Sequence, residues 1–587
     1  MKLRKLLTLI IILLVCIGLL IALSYVAGGK EPAEPEYLPE GCTSILIGKE
    51  ASTDGSVMAT HAADCGICDF TWHHVPAADH KEGPVRKIYH INQIRTWHPD
   101  EGAKWENLER GHTGVNIPQA AHTYGYRYSV FGYMNDQQVA MGEASIGCQR
   151  KMRNSTSTPV MDITMLTLLA MERSKTAREA IELMGSLGEK YGYGFHDSGE
   201  MLAVIDAEEA WIFEIMPVGP LWTPENGKPG AVWCAQRVPD DHVSVCPNES
   251  RIGEIDLKDT DHFLASPNVI SYAVENGFYD TESGKPFNWK RAYCPAEGSA
   301  ASTHGRRGRL WRFFDLVAPS RKFSPELPNM DFPFSIKPDK KLSVQDVMRL
   351  TRDKYQGCMY DPSKGLKAGP FANPNYFRGF KVDDKRYAGA RCISVNNSEY
   401  TTLAQCRNWL PNQIGGILWV ALGAQDTSCY TPIYAGVTEI PESYSVGDHW
   451  IFNRDSARWA FDYVDFHTQV VYSQAIKDVI KAREKWEGGA LKKIPIIDKA
   501  AVELYRKDPA AAVEFITGFS VNNAERTIDA WWKLGDDLLV KYNHLRNYNA
   551  ENRKVSHVEF PEWWNRAVVE HDKLVPLQPP PAQKKKK

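Results

Sequence analysis

The chain has 587 residues, of which 43% are hydrophobic and 24% are charged, and its formal net charge is -3. This is the composition of a globular protein with a large buried core, and the length suggests two to four domains. The nearly neutral charge argues against the basic surface that nucleic-acid binding requires, so no nucleic-acid partner is predicted.

The first 28 residues are predicted to be an export signal or a membrane anchor. Lys2, Arg4 and Lys5 precede an uncharged, apolar run over residues 6–27. A basic start followed by such a run is typical of a secretory signal, and this run is also long enough to span a bilayer. Whether it is cleaved or retained stays open. In either case we expect the rest of the chain outside the cytoplasm, as a periplasmic, cell-surface or secreted protein.

Residues 29–41 form a predicted linker or propeptide. Residues 30–40 contain three Pro and four Glu with almost no apolar side chain, which predicts an exposed, extended segment. The pattern then changes abruptly. Residues 43–48 and 57–61 are predicted strands, and the Ser-Thr-Asp-Gly-Ser sequence at 52–56 is typical of the turn of a hairpin.

Strands and helices follow in blocks along the middle of the chain. Predicted strands cover residues 126–130, 139–143, 201–205, 211–216, 232–245 and 417–422, and predicted helices cover residues 162–173, 176–190 and 347–355. Because these elements do not alternate strictly as strand and helix, they indicate the α+β class with largely antiparallel sheets.

A helical region over residues 471–575 is predicted after the main domain, followed by a disordered tail at 576–587. Helical patterns cover residues 473–485, 498–506, 509–518 and 523–545. We expect this region to pack on the core or to form a small separate unit. The tail consists mostly of Pro, Gln and Lys, a composition that does not support a packed core.

Twelve cysteines are present, and ten remain when Cys16 and Cys42 are set aside. In an exported chain an even set of cysteines predicts disulfides, although the sequence does not fix their pairing. Cys65 and Cys68 form a C-x-x-C pair, and a structural metal site would need a second such pair, which is absent. We therefore expect either a disulfide or two free thiols at this pair, and we predict no metal and no cofactor.

Cys42 is the candidate nucleophile. The chain contains no G-x-S-x-G, H-E-x-x-H, P-loop or Rossmann glycine pattern, whereas Cys42 lies where the linker meets the first predicted strand. If the Gly41–Cys42 bond is cut, Cys42 gains an α-amine with a pKa of about 7.7–8.0. Such an amine can take the proton of the thiol and produce a nucleophilic thiolate. By position alone, a buried structural cysteine is the alternative interpretation.

Several ordered motifs resemble those of a known enzyme family. Residues 42–56 resemble the mature N-terminus of the cysteine dipeptidases of the N-terminal nucleophile superfamily, the dipeptidase A type. Residues 233–254, 309–320, 409–416 and 434–441 are similar to further dipeptidase motifs, so the resemblance covers roughly residues 42–450. More distantly, the chain resembles bile salt hydrolases and penicillin V acylases. The resemblance implies an αββα sandwich over residues 42–470, self-cleavage before Cys42, and hydrolysis of dipeptides or short peptides.

The resemblance also assigns roles to individual residues. Cys42 matches the nucleophile, with its own amine as the base, and Asp64 matches an acid that holds this amine. Asn135 matches the donor to the oxyanion, and a lost oxyanion donor typically costs about 10²–10³ in rate. Asn248 matches a second asparagine near the amine or the tetrahedral intermediate, and Arg309 matches an arginine of the site.

His61 is the position where the chain departs from its more distant relatives. Bile salt hydrolases have an arginine three residues before the aspartate, where this chain has His61. Arginine is always charged, whereas an unperturbed histidine is charged only below about pH 6.5. His61 is therefore expected to change how the thiolate is stabilised, or the pH optimum.

The leading hypothesis is an exported cysteine dipeptidase. One alternative is an amidase that acts on N-acyl amino acids or related amides with the same nucleophile. Another alternative is a non-catalytic binding protein of the cell envelope with the same fold, which would not need a free Cys42. The sequence does not indicate the oligomeric state or the preferred substrate side chains.

Overall fold

The computed structural model describes residues 41–81, 83–90, 96–98, 102–104, 112–153, 161–194, 198–294, 300–377 and 379–577. The predicted signal, nearly all of the linker and most of the predicted tail lie outside these residues. The chain from Gly41 onward clusters as one compact unit. Within the described ranges, none of the helices combines the length and the apolar character needed to cross a membrane.

The strands are numbered in chain order. They are β1 (Ser44–Ile47), β2 (Val57–Ala62), β3 (His73–Val75), β4 (Ala78–Asp79), β5 (Val85–Tyr89), β6 (Thr96–His98), β7 (Gly102–Lys104), β8 (His112–Pro118), β9 (His122–Thr123), β10 (Tyr126–Tyr128), β11 (Gly132–Asn135), β12 (Ala140–Ile146), β13 (Gly199–Ile205), β14 (Ala210–Pro217), β15 (Ala231–Val238), β16 (Val243–Cys246), β17 (Phe263–Ala265), β18 (Gly379–Val382), β19 (Lys385–Ala388), β20 (Tyr400–Cys406), β21 (Ile417–Leu422), β22 (Thr431–Tyr434), β23 (Arg546–Asn549) and β24 (Lys554–His557).

The α-helices are numbered in the same way. They are α1 (Ile163–Arg173), α2 (Ala177–Tyr191), α3 (Ser271–Glu275), α4 (Trp289–Tyr293), α5 (Ala300–Val317), α6 (Val344–Thr351), α7 (Asn412–Gly415), α8 (Ala457–Val470), α9 (Tyr472–Tyr505), α10 (Pro509–Tyr542) and α11 (Glu562–Asp572).

Two antiparallel sheets face each other at the centre of the fold. One has six strands in the order β16-β1-β2-β20-β21-β22, and the other has eight in the order β17-β15-β14-β13-β12-β11-β10-β3. Strands β1 and β2 pack against β12 and β13, while α1 and α2 contact the eight-stranded sheet and α8 and α10 contact the six-stranded one. This helix–sheet–sheet–helix arrangement confirms the α+β prediction and the αββα sandwich.

Local sequence explains the first helices and strands. The carboxylate of Asp162 accepts a hydrogen bond from the backbone N–H of Met165 at the start of α1, and Thr176 caps α2 through the N–H of Glu179. These caps satisfy backbone donors that a helix leaves free, and both lie where the sequence places them. Every residue of β1 and β2 is buried, because these strands are covered on both faces.

Two predicted boundaries differ from the structure. Residues 232–245 form two strands in different sheets, β15 and β16, because a turn that begins at Pro239 separates them. The four predicted C-terminal helices are two 34-residue helices, α9 and α10. Pro495 lies inside α9 without ending it, and the packing of α9 against α10 offsets the local cost of this proline.

One disulfide joins cysteines within the described residues, between Cys65 and Cys68. Of the two alternatives for this C-x-x-C pair, a disulfide or two free thiols, the structure has the disulfide. The other eight cysteines that remain besides Cys16 and Cys42 form no disulfide within the described residues. The expectation of further disulfides is therefore wrong for the described residues. Most of these cysteines are buried in the core, where a free cysteine packs as a small apolar side chain.

Gly142 on β12 faces β2 and the start of β1 in the other sheet, at a close approach. A Cβ atom at this position would lie 2.5 Å from the carbonyl oxygen of Thr60. We expect Gly142→Ala to lower the free energy of unfolding by about 1–3 kcal/mol, because the sheets must separate to admit the methyl group. Urea unfolding measures this change. Gly147→Ala is the control, since no heavy atom lies within 4 Å of its added Cβ; equal losses in both variants would contradict the explanation.

Candidate active site

Cys42 lies directly before β1 and is partly exposed. Its bond to Gly41 is intact, so the structure shows the chain before any cut at this position. Strand β1 is held between β16 and β2, and Thr43 continues the pairing through a bridge to Ala62. The backbone N–H of Gly41 donates to the carbonyl oxygen of Asp64 at 3.2 Å. The peptide bond before Cys42 is therefore held against the end of β2.

Arg309 joins the start of β1 to the loop after β16. Its guanidinium donates to the carbonyl oxygen of Cys42 at 2.9 Å and to the hydroxyl of Thr43 at 2.8 Å. On its other side it donates to the carbonyl oxygen of Pro247 at 2.9 Å and to the amide oxygen of Asn248 at 3.0 Å. Burial, and then repulsion by Arg391, lowers the pKa of Arg309 to about 9. The structure thus places Arg309 beside the nucleophile, as the sequence predicts.

Asn248 is fixed in a left-handed backbone conformation, with φ of 62°. Asparagine tolerates this conformation better than most residues. Its amide nitrogen donates to the carbonyl oxygen of Ser145 at 2.9 Å, while its amide oxygen accepts from Arg309. Asn248 therefore lies next to Gly41–Cys42, in agreement with its predicted location, and its catalytic role stays a prediction.

Asp64 is buried at the end of β2 and paired with Arg391. A guanidinium nitrogen of Arg391 lies 2.8 Å from one carboxylate oxygen of Asp64, and the amide of Gln425 donates to the other at 3.2 Å. The same guanidinium nitrogen of Arg391 donates to the carbonyl oxygen of Gly41. Asp64 thus lies beside the Gly41–Cys42 junction, where its role stays a prediction, and Arg391 is a further functional candidate that no sequence motif marks.

Glu143 and His61 complete the surroundings of the Cys42 thiol. One donor atom each of Cys42, His61 and Glu143 lies within 4.8 Å of the other two. Burial, and then the negative charges of Glu143 and Asp64, raises the pKa of the Cys42 thiol well above its usual value. In the uncut chain the thiol therefore keeps its proton. Thiol, imidazole and carboxylate also bind transition metals; the absence of a metal stays a prediction.

His61 is buried under an aromatic layer and is neutral at physiological pH. Its Nδ1 lies 2.8 Å from the carbonyl oxygen and 2.9 Å from the nitrogen of Glu143, while Nε2 has no partner within the described part of the chain. Burial lowers the pKa of His61. His61 therefore does not replace the permanent charge that the bile salt hydrolase arginine would provide.

Glu143 lies close to a second buried carboxyl group, that of Glu200 on β13. The hydroxyl of Ser145 donates to Glu143 at 3.1 Å, and Ser198 donates to Glu200 at 3.3 Å. Burial, and then the charge and hydrogen bond of Glu143, raises the pKa of Glu200 well above its usual value. Two close carboxyl groups disfavour a second negative charge, so the protonated form of Glu200 is favoured.

Asn135 has a structural environment that differs from the predicted one. Its amide nitrogen donates to the carbonyl oxygens of Met171 at 3.1 Å and Ser174 at 2.8 Å. Both amide hydrogens are thereby used to attach the β11–β12 turn to the end of α1. The geometry does not support the oxyanion role of Asn135 in this state of the chain. On the same strand, burial and then Tyr400 raise the pKa of Tyr133 well above its usual value.

Glu143 and Arg391 were not predicted as site residues, and only Glu143 has a local sequence signal. Glu143 is a charged residue at the end of an otherwise apolar predicted strand, and a charge in a buried strand is a signal of function. Arg391 lies outside every predicted element and more than 300 residues from Asp64 and Gly41. No local pattern identifies such a residue.

The chain is similar to known proteins over most of its length. The sequence profile of the family described as Peptidase family C69 matches residues 41–485. A probable dipeptidase of Salmonella dublin is 26% identical over 69% of this chain and 83% of its own length. A probable dipeptidase of Latilactobacillus sakei is 24% identical over 81% and 90%. Dipeptidase A of Lactobacillus helveticus is 23% identical over 70% and 79%.

Among solved structures, penicillin V acylase from Agrobacterium tumefaciens is similar to this chain. The two share 11% identity, and the match covers 67% of this chain and 86% of the acylase. Its TM-score is 0.27.

The protonated state of Glu200 has a measurable consequence for stability. An unfolded glutamate has a pKa of about 4.3, and the folded value is higher. The stability that the neutral form contributes is therefore complete below about pH 4.3 and is lost as the pH rises toward the folded pKa. In the wild type, we expect the free energy of unfolding to fall with rising pH by up to about 1.4 kcal/mol per pH unit because of this group. We expect this fall to be absent in Glu200→Gln. Urea unfolding between pH 5 and 8 measures it.

The control for this measurement is Glu182→Gln, which replaces an exposed glutamate of α2. We expect it to keep the pH dependence of the wild-type protein. If Glu200→Gln and Glu182→Gln have the same slopes, the pKa of Glu200 is not raised in the folded chain.

Proposed function

The chain belongs to peptidase family C69, and on this basis we propose that it is an exported cysteine dipeptidase that uses Cys42 as an N-terminal nucleophile. The match to the family begins at residue 41, one residue before Cys42. The observation that carries the proposal is the convergence of Asp64, Asn248 and Arg309 on this one junction. These residues come from three distant parts of the chain.

The proposed reaction begins once Cys42 is the first residue. Its α-amine accepts the proton of the thiol, and the thiolate attacks the carbonyl carbon of the substrate peptide bond. The amine returns the proton to the leaving amino group, and water then hydrolyses the thioester. Arg309 holds the carbonyl of Cys42, so the nucleophile stays fixed to β1 during both steps.

The proposed substrates are dipeptides and short peptides. The relatives described above are named dipeptidases, which supports this class. A dipeptide carries a positive and a negative end close together. The site offers buried groups of both signs within the same few residues, namely the paired charges of Asp64 and Arg391 and the guanidinium of Arg309. A site with charged groups of both signs suits a dipeptide better than it suits a substrate with an apolar acyl chain.

Export is proposed from the N-terminal sequence alone. Residues 1–28 have a basic start and an apolar run, and they lie outside the described residues. A cut before Cys42 would release the catalytic unit from the apolar segment even if that segment stayed in the membrane. We therefore propose that one cut both activates the enzyme and separates it from its anchor.

The mature N-terminus is the first test. We expect intact-mass analysis and N-terminal sequencing of the purified protein to find Cys42 as the first residue. We expect Cys42→Ser to lose at least about 10³-fold in peptidase activity, because a nucleophile is removed. Cys358→Ser is the matched control, since Cys358 is a partly exposed free thiol far along the chain. A mature chain that begins elsewhere and remains fully active would rule out the mechanism.

The substrate class is tested with a panel of dipeptides and N-acyl amino acids with matched side chains. We expect kcat/KM to favour dipeptides, and blocking the substrate α-amine by acetylation to lower it. Preferential hydrolysis of N-acyl amino acids would replace the dipeptidase proposal by the amidase alternative. Binding of both classes without hydrolysis by a chain that begins at Cys42 would favour a binding protein.

A further inference from the structure

We propose that Glu143 and Arg391 carry out the self-cleavage that exposes Cys42, as the general base and the oxyanion-binding group of that one reaction. The inference rests on the proposed function, because it assumes that the Gly41–Cys42 bond is the bond that is cut. It adds two residues that the family resemblance did not supply, and it separates the chemistry of maturation from the chemistry of turnover.

The uncut chain lacks the base that the mature enzyme uses. As long as Gly41 is attached, the nitrogen of Cys42 belongs to an amide, and an amide nitrogen does not accept a proton at neutral pH. Another group must therefore remove the proton of the thiol during the first cut. The raised pKa of the Cys42 thiol strengthens this requirement, because the thiol does not ionise unaided.

Glu143 is the group in place to act as this base. One of its carboxylate oxygens lies within 4.8 Å of the Cys42 sulfur, and the hydroxyl of Ser145 fixes the carboxylate. His61 is the other nearby group, and its Nε2 has no partner among the described residues. Burial lowers the pKa of His61, which makes it the poorer proton acceptor, and the His61→Gln variant below tests this choice. Self-cleavage occurs once in the life of each molecule, so a weak base is sufficient.

Arg391 lies on the carbonyl that would be attacked. Its guanidinium donates to the oxygen of Gly41, and Asp64 holds the same guanidinium at 2.8 Å. Negative charge develops on this oxygen when a thiolate adds to the carbonyl carbon, and a fixed cationic donor stabilises that charge. The guanidinium side chain is only 10% exposed, which strengthens its effect because little water competes with it.

The N–H, the carbonyl oxygen and the Cα of Gly41 are all in contact with residues of the site, as those of a bound substrate would be. Its N–H donates to the carbonyl oxygen of Asp64, and its own carbonyl oxygen accepts from Arg391. A Cβ at position 41 would overlap the amide oxygen of Asn248. Asn248 cannot move freely, because Arg309 and Ser145 hold its amide group. The residue before the cut is therefore restricted to glycine in this arrangement.

The reaction balances without any further reagent. Glu143 accepts the proton of the Cys42 thiol while the sulfur bonds to the carbonyl carbon of Gly41, and Arg391 stabilises the resulting oxyanion. The C–N bond then breaks, Glu143 returns the proton to the nitrogen of Cys42, and Gly41 is left as a thioester on the sulfur. Water hydrolyses this thioester to the carboxylate of Gly41 and the free thiol.

The test follows maturation of the full-length chain made by cell-free translation, with mass spectrometry detecting the product that begins at Cys42. We expect Glu143→Gln to slow the cut by about 10²–10⁴-fold and Arg391→Met by about 10²–10³-fold. We expect Gly41→Ala to be slow as well. Glu189→Gln is the control, because it removes a half-buried carboxylate that accepts a hydrogen bond from Trp233; we expect it to mature at the wild-type rate.

A second measurement separates maturation from folding and turnover. In a full-length chain, residues 35–41 are replaced by a site for a specific protease that cuts just before Cys42. We compare two losses caused by Glu143→Gln, each relative to the wild type. After the protease cut, the loss in kcat for peptide hydrolysis should be far smaller than the loss in the rate of self-cleavage. Hydroxylamine, which cleaves thioesters, should speed maturation of the wild type but not of Glu143→Gln, because that variant is blocked before the thioester forms.

Each outcome decides one question. If the wild type is never cut before Cys42, the proposed function fails. If the wild type is cut and Glu143→Gln is cut equally fast, the assignment of the base fails while the function stands. If His61→Gln is slow and Glu143→Gln is not, His61 is the base. A Glu143→Gln chain that is inactive even after the protease cut, and that unfolds at a lower urea concentration, would show a structural role instead.

Discussion

The site depends first on one buried guanidinium, that of Arg309. It is the connection between the start of β1, which carries Cys42, and the loop that carries Asn248. Four hydrogen bonds from a planar group fix both distance and orientation, which a flexible lysine at this place would not do. The cost is a buried charge, expressed as the lowered pKa of Arg309. The geometry explains this cost, because the buried charge fixes Cys42, the proposed nucleophile, relative to Asn248.

Asp64 and Arg391 show how a charge can be supplied from a different part of a chain. The bile salt hydrolases have an arginine close to the aspartate in sequence, and this chain has a neutral His61 there instead. The structure nevertheless pairs Asp64 with a guanidinium, brought by a segment more than 300 residues away. Comparison of the local motif alone suggests that the positive charge is lost. In three dimensions a guanidinium remains beside the nucleophile, and its second contact, to Gly41, is one that the structure reveals.

Most of the fold could be predicted from local patterns, and the site only in part. The caps of α1 and α2 and the strand Ile417–Leu422 follow from short-range sequence, because capping and strand periodicity are local properties. The merging of the C-terminal helices does not, since packing between α9 and α10 overrides Pro495. Motif resemblance pointed to Asp64 and Arg309, which the structure places beside the Gly41–Cys42 junction. It also pointed to Asn135, whose hydrogen bonds attach a turn to α1, and the catalytic roles of all three stay predictions. Arg391 needed the fold, because nothing near it in sequence marks its partner.

The proposed cut before Cys42 would change the charge around its thiol. In the uncut chain the charges of Glu143 and Asp64 raise the pKa of the Cys42 thiol, which keeps the nucleophile protonated. Cleavage at the Gly41–Cys42 bond would add an α-ammonium group to Cys42. A positive charge there would oppose the effect of the two carboxylates on the thiol. The raised pKa of the thiol is therefore a feature of the uncut chain, and the proposed new N-terminus would lower it.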